Sequence, residues 1–195
     1  KALINLKRRR PEVNVRIEEN VYPDNLAPLR RGDVDVAVCM LPEKFQDDDL
    51  ISEVLIEDEV TPAVSVDHPL TRKRDLTFED LIDEDWVLFG RSISSHAIHE
   101  QTFRVNGFEP PVSTVVCASF TCALALVENG NYVMLVPKQV FRGRVRGFPI
   151  TPLRLATPMQ PWTIAVISRT PNLLSPACQE FIDELRKVAP TISRT

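Results

Sequence analysis

The chain has 195 residues, of which 44% are hydrophobic and 26% are charged. This composition excludes a mainly disordered chain, because there is enough apolar material to form a core. The formal net charge of −4 does not suit a protein that binds nucleic acid over its whole surface. No apolar run approaches the ~18 residues of a membrane span, and the basic start is not followed by the apolar core of a secretory signal.

The first part of the chain alternates between helix and strand patterns. Residues 1–10 predict a helix that ends at Pro11, and the alternation of apolar and polar residues over 13–17 predicts a strand. A helix over 24–31 with Gly32 as its cap and a strand over 34–40 follow. Two strands joined by a short helix imply a parallel pair with a right-handed crossover.

The same alternation continues to the end of the chain, and it predicts the α/β fold class. Ser119 and Ser175 each precede an apolar helical pattern and are predicted to cap those helices. The helix after Ser119 is apolar almost all round, which predicts burial on more than one side. The predicted strands cover 59–66, 86–89, 112–116, 132–136 and 162–168, and the predicted helices begin near residues 77, 96, 119 and 176.

Cysteine and histidine spacing favours neither a metal site nor a disulfide framework. The four cysteines stand in apolar surroundings without a C-x-x-C pair, so buried free thiols in a reducing cytoplasm are predicted. His96 and His99 are three residues apart and could share a metal, but no third ligand has the right spacing. The serines after Gly90 lack the G-x-S-x-G pattern of a nucleophile. No metal, cofactor or catalytic residue is therefore predicted.

Clustered hydroxyl groups point instead to a binding function. They stand at 92–96 and 119–121, where a predicted strand ends and a helix begins. Free backbone N–H groups and the helix dipole favour an anion at such a place, and ligands of open α/β sheets bind beyond the carboxyl ends of the strands. These segments, together with 20–24, predict a pocket for a small carboxylate or a similar anion.

Several motifs in one order resemble the LysR-type transcriptional regulators, across nearly the whole chain. They include the D-H-P-L turn at 67–70 and the closing L-S-P-A with a following phenylalanine at 174–181. The segment 29–38 resembles their L-x-x-G-x-x-D-x-A pattern, and 126–137 resembles their L-V-x-x-G-x-G-I-x-L-V-P pattern, with Asn131 and Tyr132 in place of part of its glycine-isoleucine stretch.

This resemblance implies the effector-binding domain of the family, which has a fold like type 2 periplasmic binding proteins. Two Rossmann-like lobes, 1–61 plus 163–195 and 62–162, would be joined by two crossing strands, with the ligand in the cleft between them. The resemblance implies that eight positions of this chain contact the ligand. These are Tyr22, Ser94, Ser95, His96, Ser119, Phe120, Thr121 and Pro137.

The resemblance also implies partners and a mechanism. A small anionic effector, for which Phe120 and Tyr22 favour an aromatic ring, would shift an equilibrium that controls transcription in a cytoplasmic homodimer or homotetramer. The family's helix-turn-helix and its first strand are missing from these 195 residues, so DNA would be bound elsewhere in the protein. The alternatives are a periplasmic-type binding protein, an α/β enzyme and a dimerisation module.

Overall fold

The computed structural model describes residues 1–42, 45–90, 96–142, 148–157, 159 and 161–193. The chain divides into two compact units. Unit 1 comprises Lys1–Asp58 and Trp162–Thr195, and unit 2 comprises Glu59–Pro161. Both units combine helices with sheet strands, which confirms the α/β class. Within the described residues, no helix is long and apolar enough to cross a bilayer.

Unit 1 combines helices with a sheet in which β7 lies between β1 and β2. Antiparallel pairing of β1 with β7 runs from Val36 opposite Ser168 to Pro42 opposite Trp162. The core between α2 and this sheet includes Leu29 and Ile167, both fully buried. Its elements are α1 (Ala2–Arg9), α2 (Leu26–Arg31), β1 (Val36–Pro42), the first part of β2 (Ile51–Ser65), most of β7 (Pro161–Ser168) and α6 (Pro176–Ser193).

Helix α1 packs against α6 through a charged contact around one buried carboxylate. Glu184 is 3% exposed and accepts hydrogen bonds from Asn5 and Arg9 of α1, each at 2.9 Å. Lys187, one turn further along α6, donates to the same carboxylate at 2.8 Å. These donors favour the ionised form, so the pKa of Glu184 falls to about 2.

Unit 2 has a mixed sheet in the order β2-β5-β3-β4, with β6 paired to β2. Strand β3 is parallel to both β4 and β5, whereas β2 is antiparallel to β5. Helices α3 and α4 connect the parallel strands. The elements are β3 (Asp85–Phe89), α3 (Ala97–Val105), β4 (Ser113–Cys117), α4 (Phe120–Asn129), β5 (Tyr132–Pro137), α5 (Gln139–Arg142) and β6 (Ile150–Pro152).

An aromatic cluster forms the core of unit 2 on the α3 side of the sheet. Phe103 is fully buried, with its ring edge-on to Trp86 at 5.4 Å and to Phe78 at 5.8 Å between centroids. The indole N–H of Trp86 donates to the Leu81 carbonyl at 3.0 Å, so the buried tryptophan has no unpaired polar group. On the other side of the sheet, α4 buries Ala123, Leu124 and Val127.

The predicted strand over 13–17 is wrong. Residues 13–20 have no strand structure, and Val15 and Ile17 are 45% and 76% exposed. Hydrogen bonds from charged side chains hold this segment instead. The Lys7 ammonium donates to the Val13 carbonyl at 2.6 Å, and the Arg16 side chain of the segment donates to the Asp33 carbonyl at 2.9 Å. A strand needs a neighbouring strand for its backbone, and no described residue provides one here.

Predictions about buried cysteines and about α4 also need correction. Cys122 is exposed and the other three cysteines are only half-buried. Helix α4 is apolar all round, but within unit 2 it buries one face and leaves Cys122 in contact with solvent. Apolar periodicity shows which residues can be buried, whereas the neighbours available to the helix decide which of them are.

Candidate functional site

Three parallel strands of unit 2 end at one edge of the sheet. Since β3 is parallel to β4 and to β5, the segments that follow Phe89, Cys117 and Pro137 leave the sheet on the same side. This is the edge at which open α/β sheets bind ligands. A backbone hydrogen bond joins two of these strand ends, because the Gly90 amide donates to the Cys117 carbonyl at 2.9 Å.

Helix α4 begins at this edge with a serine cap. The Ser119 hydroxyl oxygen accepts a hydrogen bond from the Cys122 amide at 3.3 Å, and the Ser119 carbonyl accepts one from Ala123 at 2.9 Å. Among the described residues, nothing accepts the Ser119 hydroxyl proton or the amide protons of Phe120 and Thr121. The first turn of α4 also contains no acidic side chain. The positive end of the helix dipole is therefore open to an external anion.

An aromatic wall stands beside this helix start. The ring of half-buried Phe120 lies edge-on to that of Phe89, at 5.3 Å between centroids. Phe89 is the last residue of β3 and was not among the predicted site residues. The sequence contained a basis for predicting it, since Phe89 precedes Gly90 at the end of a strand that is predicted to be buried. The arrangement places an apolar surface next to hydrogen-bond donors, which suits an organic anion with a carbon skeleton.

His96 lies at the start of α3 and has an unpaired buried nitrogen. Its side chain does not cap the helix, and its Nε2 atom is buried with no hydrogen-bond partner among the described residues. Buried polar atoms are usually paired in proteins, so such an atom requires a specific explanation. A ligand or a water molecule that bonds to Nε2 would supply the missing partner.

His99 has a different role from His96, because it is part of the aromatic core. It is 4% exposed, its ring centroid lies 4.8 Å from that of Trp86, and its Nε2 lies 3.1 Å from the Pro111 carbonyl oxygen. Burial lowers the pKa of His99, which favours the neutral form of the ring. Among the described residues, no group of three or more metal-ligating side chains includes this pair.

The structure brings only some of the predicted site residues together. Ser119, Phe120 and Thr121 form one helix start, and His96 begins the helix after the adjacent strand. Pro137 is the last residue of β5, where it pairs with Val60. Ser94 and Ser95 lie outside the described residues. Tyr22 belongs to unit 1, where its ring is edge-on to Phe45 at 6.0 Å.

Lys138 is a charged residue at this edge that was not among the predicted site residues. It directly follows β5, its amide donates to the Glu59 carbonyl at 2.8 Å, and its ammonium pairs with the Glu59 carboxylate. This ion pair holds the start of the unit 2 portion of β2 beside the end of β5. The position of Lys138 directly after a predicted strand was the feature of the sequence from which it could have been predicted.

Comparison with known proteins gives the family of this fold and site. A sequence model of the LysR substrate binding domain matches residues 1–190. The chain is 24% identical over 174 residues to the transcriptional dual regulator GltC of Bacillus subtilis, covering 89% of this chain and 57% of GltC. It is 26% identical over 199 residues to the HTH-type transcriptional regulator GbpR of Azospirillum brasilense, covering 99% of this chain and 57% of GbpR.

Solved structures show the same fold at lower sequence identity. The effector binding domain of QuiR in complex with shikimate aligns with a TM-score of 0.75 at 16% identity, covering 97% of this chain and 89% of that chain. The BenM effector binding domain with its effector benzoate aligns with a TM-score of 0.71 at 22% identity, covering 100% and 86%.

The fold of the chain is thus the type 2 periplasmic-binding-protein fold of these neighbouring domains. The chain belongs to the LysR substrate binding domain family, which confirms the resemblance seen in its motifs. It spans little more than half the length of GltC and of GbpR, at 57% of each.

Proposed function

We propose that this chain is the effector-sensing domain of a transcriptional regulator and that it binds a small organic anion at the carboxyl edge of unit 2. The observation that carries the proposal is the open start of α4. The Ser119 hydroxyl proton and the first amide protons of the helix have no acceptor among the described residues. A carboxylate placed there would accept charge-assisted hydrogen bonds, which are about twice as strong as neutral ones.

Two neighbouring features support an aromatic or cyclic anion. The Phe89 and Phe120 rings would contact the apolar part of the ligand. The Nε2 atom of His96, which has no partner in the described part of the chain, would bond to a second polar group of the ligand or to a bridging water. Benzoate and shikimate, which the two solved neighbours bind, are both carboxylates with six-membered carbon rings. Pro137 would form part of the wall, and Tyr22, Ser94 and Ser95 stay predictions.

Sensing requires binding, not catalysis, so we propose that the chain is not an enzyme. The effector would favour one of two conformations by its differential affinity, with a coupling of ~1–3 kcal/mol. We further propose that units 1 and 2 are the two lobes of the sensor, that the whole protein is a cytoplasmic homodimer or homotetramer, and that DNA is bound by a part of it outside these 195 residues. The names of GltC and GbpR as transcriptional regulators support this role.

Isothermal titration of the chain with benzoate, shikimate and benzamide tests the anion site. Benzamide has the shape of benzoate without its charge, so it is the matched control for the helix N-terminus. We expect saturable binding of at least one carboxylate and no detectable binding of benzamide. Equal affinity for benzoate and benzamide would contradict anion recognition, and binding of neither carboxylate would contradict the proposed ligand class.

A further inference from the structure

Lys138 lies at the same sheet edge as the start of α4, with the end of one strand between them. Since β3 lies between β5 and β4, Phe89 at the end of β3 stands between Lys138, which follows β5, and Ser119, which comes after β4. Neighbouring strands lie about 4.8 Å apart, so the ends of β4 and β5 are about 10 Å from each other. A ligand that lies over Phe89 would thus have the open helix start at one end and a lysine at the other.

The backbone of Lys138 is fixed by hydrogen bonds on both sides. Its amide donates to the Glu59 carbonyl at 2.8 Å, and its carbonyl accepts from the Phe141 amide at 3.0 Å. The side chain therefore starts from a defined point at the end of β5. From this point, the flexible stem of four carbons lets the ammonium group turn toward a ligand at the sheet edge.

The ammonium group of Lys138 has a partner but can take a second one. It pairs with the Glu59 carboxylate, and the side chains of Lys138 and Glu59 are 44% and 29% exposed. An ammonium group has three donor hydrogens, so a second carboxylate can bind beside the first. Ion pairs that are exposed to solvent contribute little stability, so a shift of the lysine toward a ligand costs little.

We propose that the effector is a dicarboxylate, with one carboxylate at the start of α4 and the other at the ammonium group of Lys138. The Phe89 and Phe120 rings contact the apolar skeleton between the two carboxylates. Glu59 limits the affinity, because its negative charge lies beside the second carboxylate of the ligand. This inference rests on the anion site proposed above, and it narrows the ligand of that site from organic anions to those with a negative group at each end.

Titration calorimetry of the 195-residue chain with matched ring compounds tests the second contact. Terephthalate has a carboxylate at each end of its ring, and 4-carbamoylbenzoate has the same shape with one carboxylate replaced by a neutral amide. We expect terephthalate to bind about tenfold more tightly, of which about twofold is statistical because its carboxylates are equivalent, and about fivefold comes from the ion pair with Lys138. Phthalate has the same charge on neighbouring ring carbons, so it cannot span the two contacts and should lack this gain.

Two variants of the ion pair should change this preference in opposite directions. Lys138→Gln removes the cation, so the preference for terephthalate over 4-carbamoylbenzoate should fall to the statistical factor. Glu59→Gln removes the competing carboxylate, so the preference should rise above that of the unchanged chain. Lys73→Gln is the matched control, because Lys73 is also a partly exposed lysine of unit 2 in an ion pair, with Asp80, and it should leave the preference unchanged. A merely structural role of the Glu59–Lys138 pair would instead make both variants weaken all ligands alike.

The dicarboxylate proposal is overturned if terephthalate gains no more than the statistical factor over 4-carbamoylbenzoate, or if Lys138→Gln keeps the full preference. In either case, tighter binding of benzoate than of benzamide would still support the anion site at the start of α4, so the two failures are distinguishable. If terephthalate, 4-carbamoylbenzoate, phthalate and benzoate all fail to bind, both proposals are overturned.

Discussion

Replacement of Ser119 by alanine removes a helix cap and a ligand donor in one step. The hydroxyl oxygen caps α4 by accepting from the Cys122 amide at 3.3 Å. Loss of a serine cap costs about 1 kcal/mol of stability, which lowers the melting midpoint of a chain of this size by about 2–4 °C. Loss of a hydrogen bond to a charged ligand costs about 1.5–3 kcal/mol. At 1.4 kcal/mol for each factor of ten, benzoate or shikimate should bind at least about tenfold more weakly.

Two further variants separate the two effects. Ser175 caps α6 of unit 1 with nearly the same geometry, because its hydroxyl oxygen accepts from the Cys178 amide at 3.2 Å. Ser175→Ala should therefore cost about the same stability and leave binding unchanged. Ser119→Asp should keep the cap, since aspartate caps as well as serine, but its negative charge should abolish binding of the carboxylate.

Single-tryptophan backgrounds assign each loss of stability to its unit. Trp86 belongs to unit 2 and Trp162 to unit 1, and these are the two tryptophans of the chain. Urea unfolding followed by Trp86 fluorescence should report Ser119→Ala, and unfolding followed by Trp162 fluorescence should report Ser175→Ala. Titration calorimetry then gives the affinities. Carboxylate binding by Ser119→Asp at the affinity of the unchanged chain would refute the reasoning about the α4 start.

Three other predictions concern stability. Glu184 has a lowered pKa of about 2, so the stability it contributes is present above pH ~4.5 and should be lost as the pH falls toward 2. Urea unfolding between those pH values should show a smaller decrease for Glu184→Gln than for the unchanged chain, and an equal decrease would contradict the assignment. Phe103→Ala should destabilise unit 2 by about 3–5 kcal/mol, measured by Trp86 fluorescence, and a loss below about 1 kcal/mol would contradict its place in the core. Gly32 and Gly107 both have positive φ, but a Cβ at Gly32 would lie 3.2 Å from Arg169 whereas Gly107 has open space. Gly32→Ala should therefore destabilise more than Gly107→Ala, and the opposite order in urea unfolding would refute this.

Local sequence patterns were sufficient to predict where helices α4 and α6 begin. A serine before an apolar helical pattern predicts a cap, because the bond it makes reaches only three residues along the chain. Both Ser119 and Ser175 confirm this, with their hydroxyls bonded to Cys122 and Cys178. The start of α4 was therefore predictable to the residue, and with it the part of the candidate site that the structure describes best.

Non-local contacts could not be derived from the pattern. The segment 13–17 alternates like a strand, but it has no neighbouring strand among the described residues. Its Val13 carbonyl accepts from the Lys7 ammonium instead, and its Arg16 side chain donates to the Asp33 carbonyl. Glu184 interrupts the apolar face of α6 and is nevertheless buried, because Asn5 and Arg9 bond to it from 179 and 175 residues away. Whether the Nε2 atom of His96 has a hydrogen-bond partner also depends on which residues surround it in space, and the sequence pattern does not give those residues.

The two serine caps show why one helix start is suited to a ligand and the other is not. Each serine is followed three residues later by a cysteine, so the local sequences are alike. At α6, the Ser175 hydroxyl donates its proton to the Cys178 sulfur at 3.2 Å. At α4, the sulfur of Cys122 does not accept from Ser119, and the Cys117 thiol at the end of β4 donates to the Ser119 carbonyl at 3.3 Å. Among the described residues, the Ser119 proton therefore has no acceptor and is available to an anion.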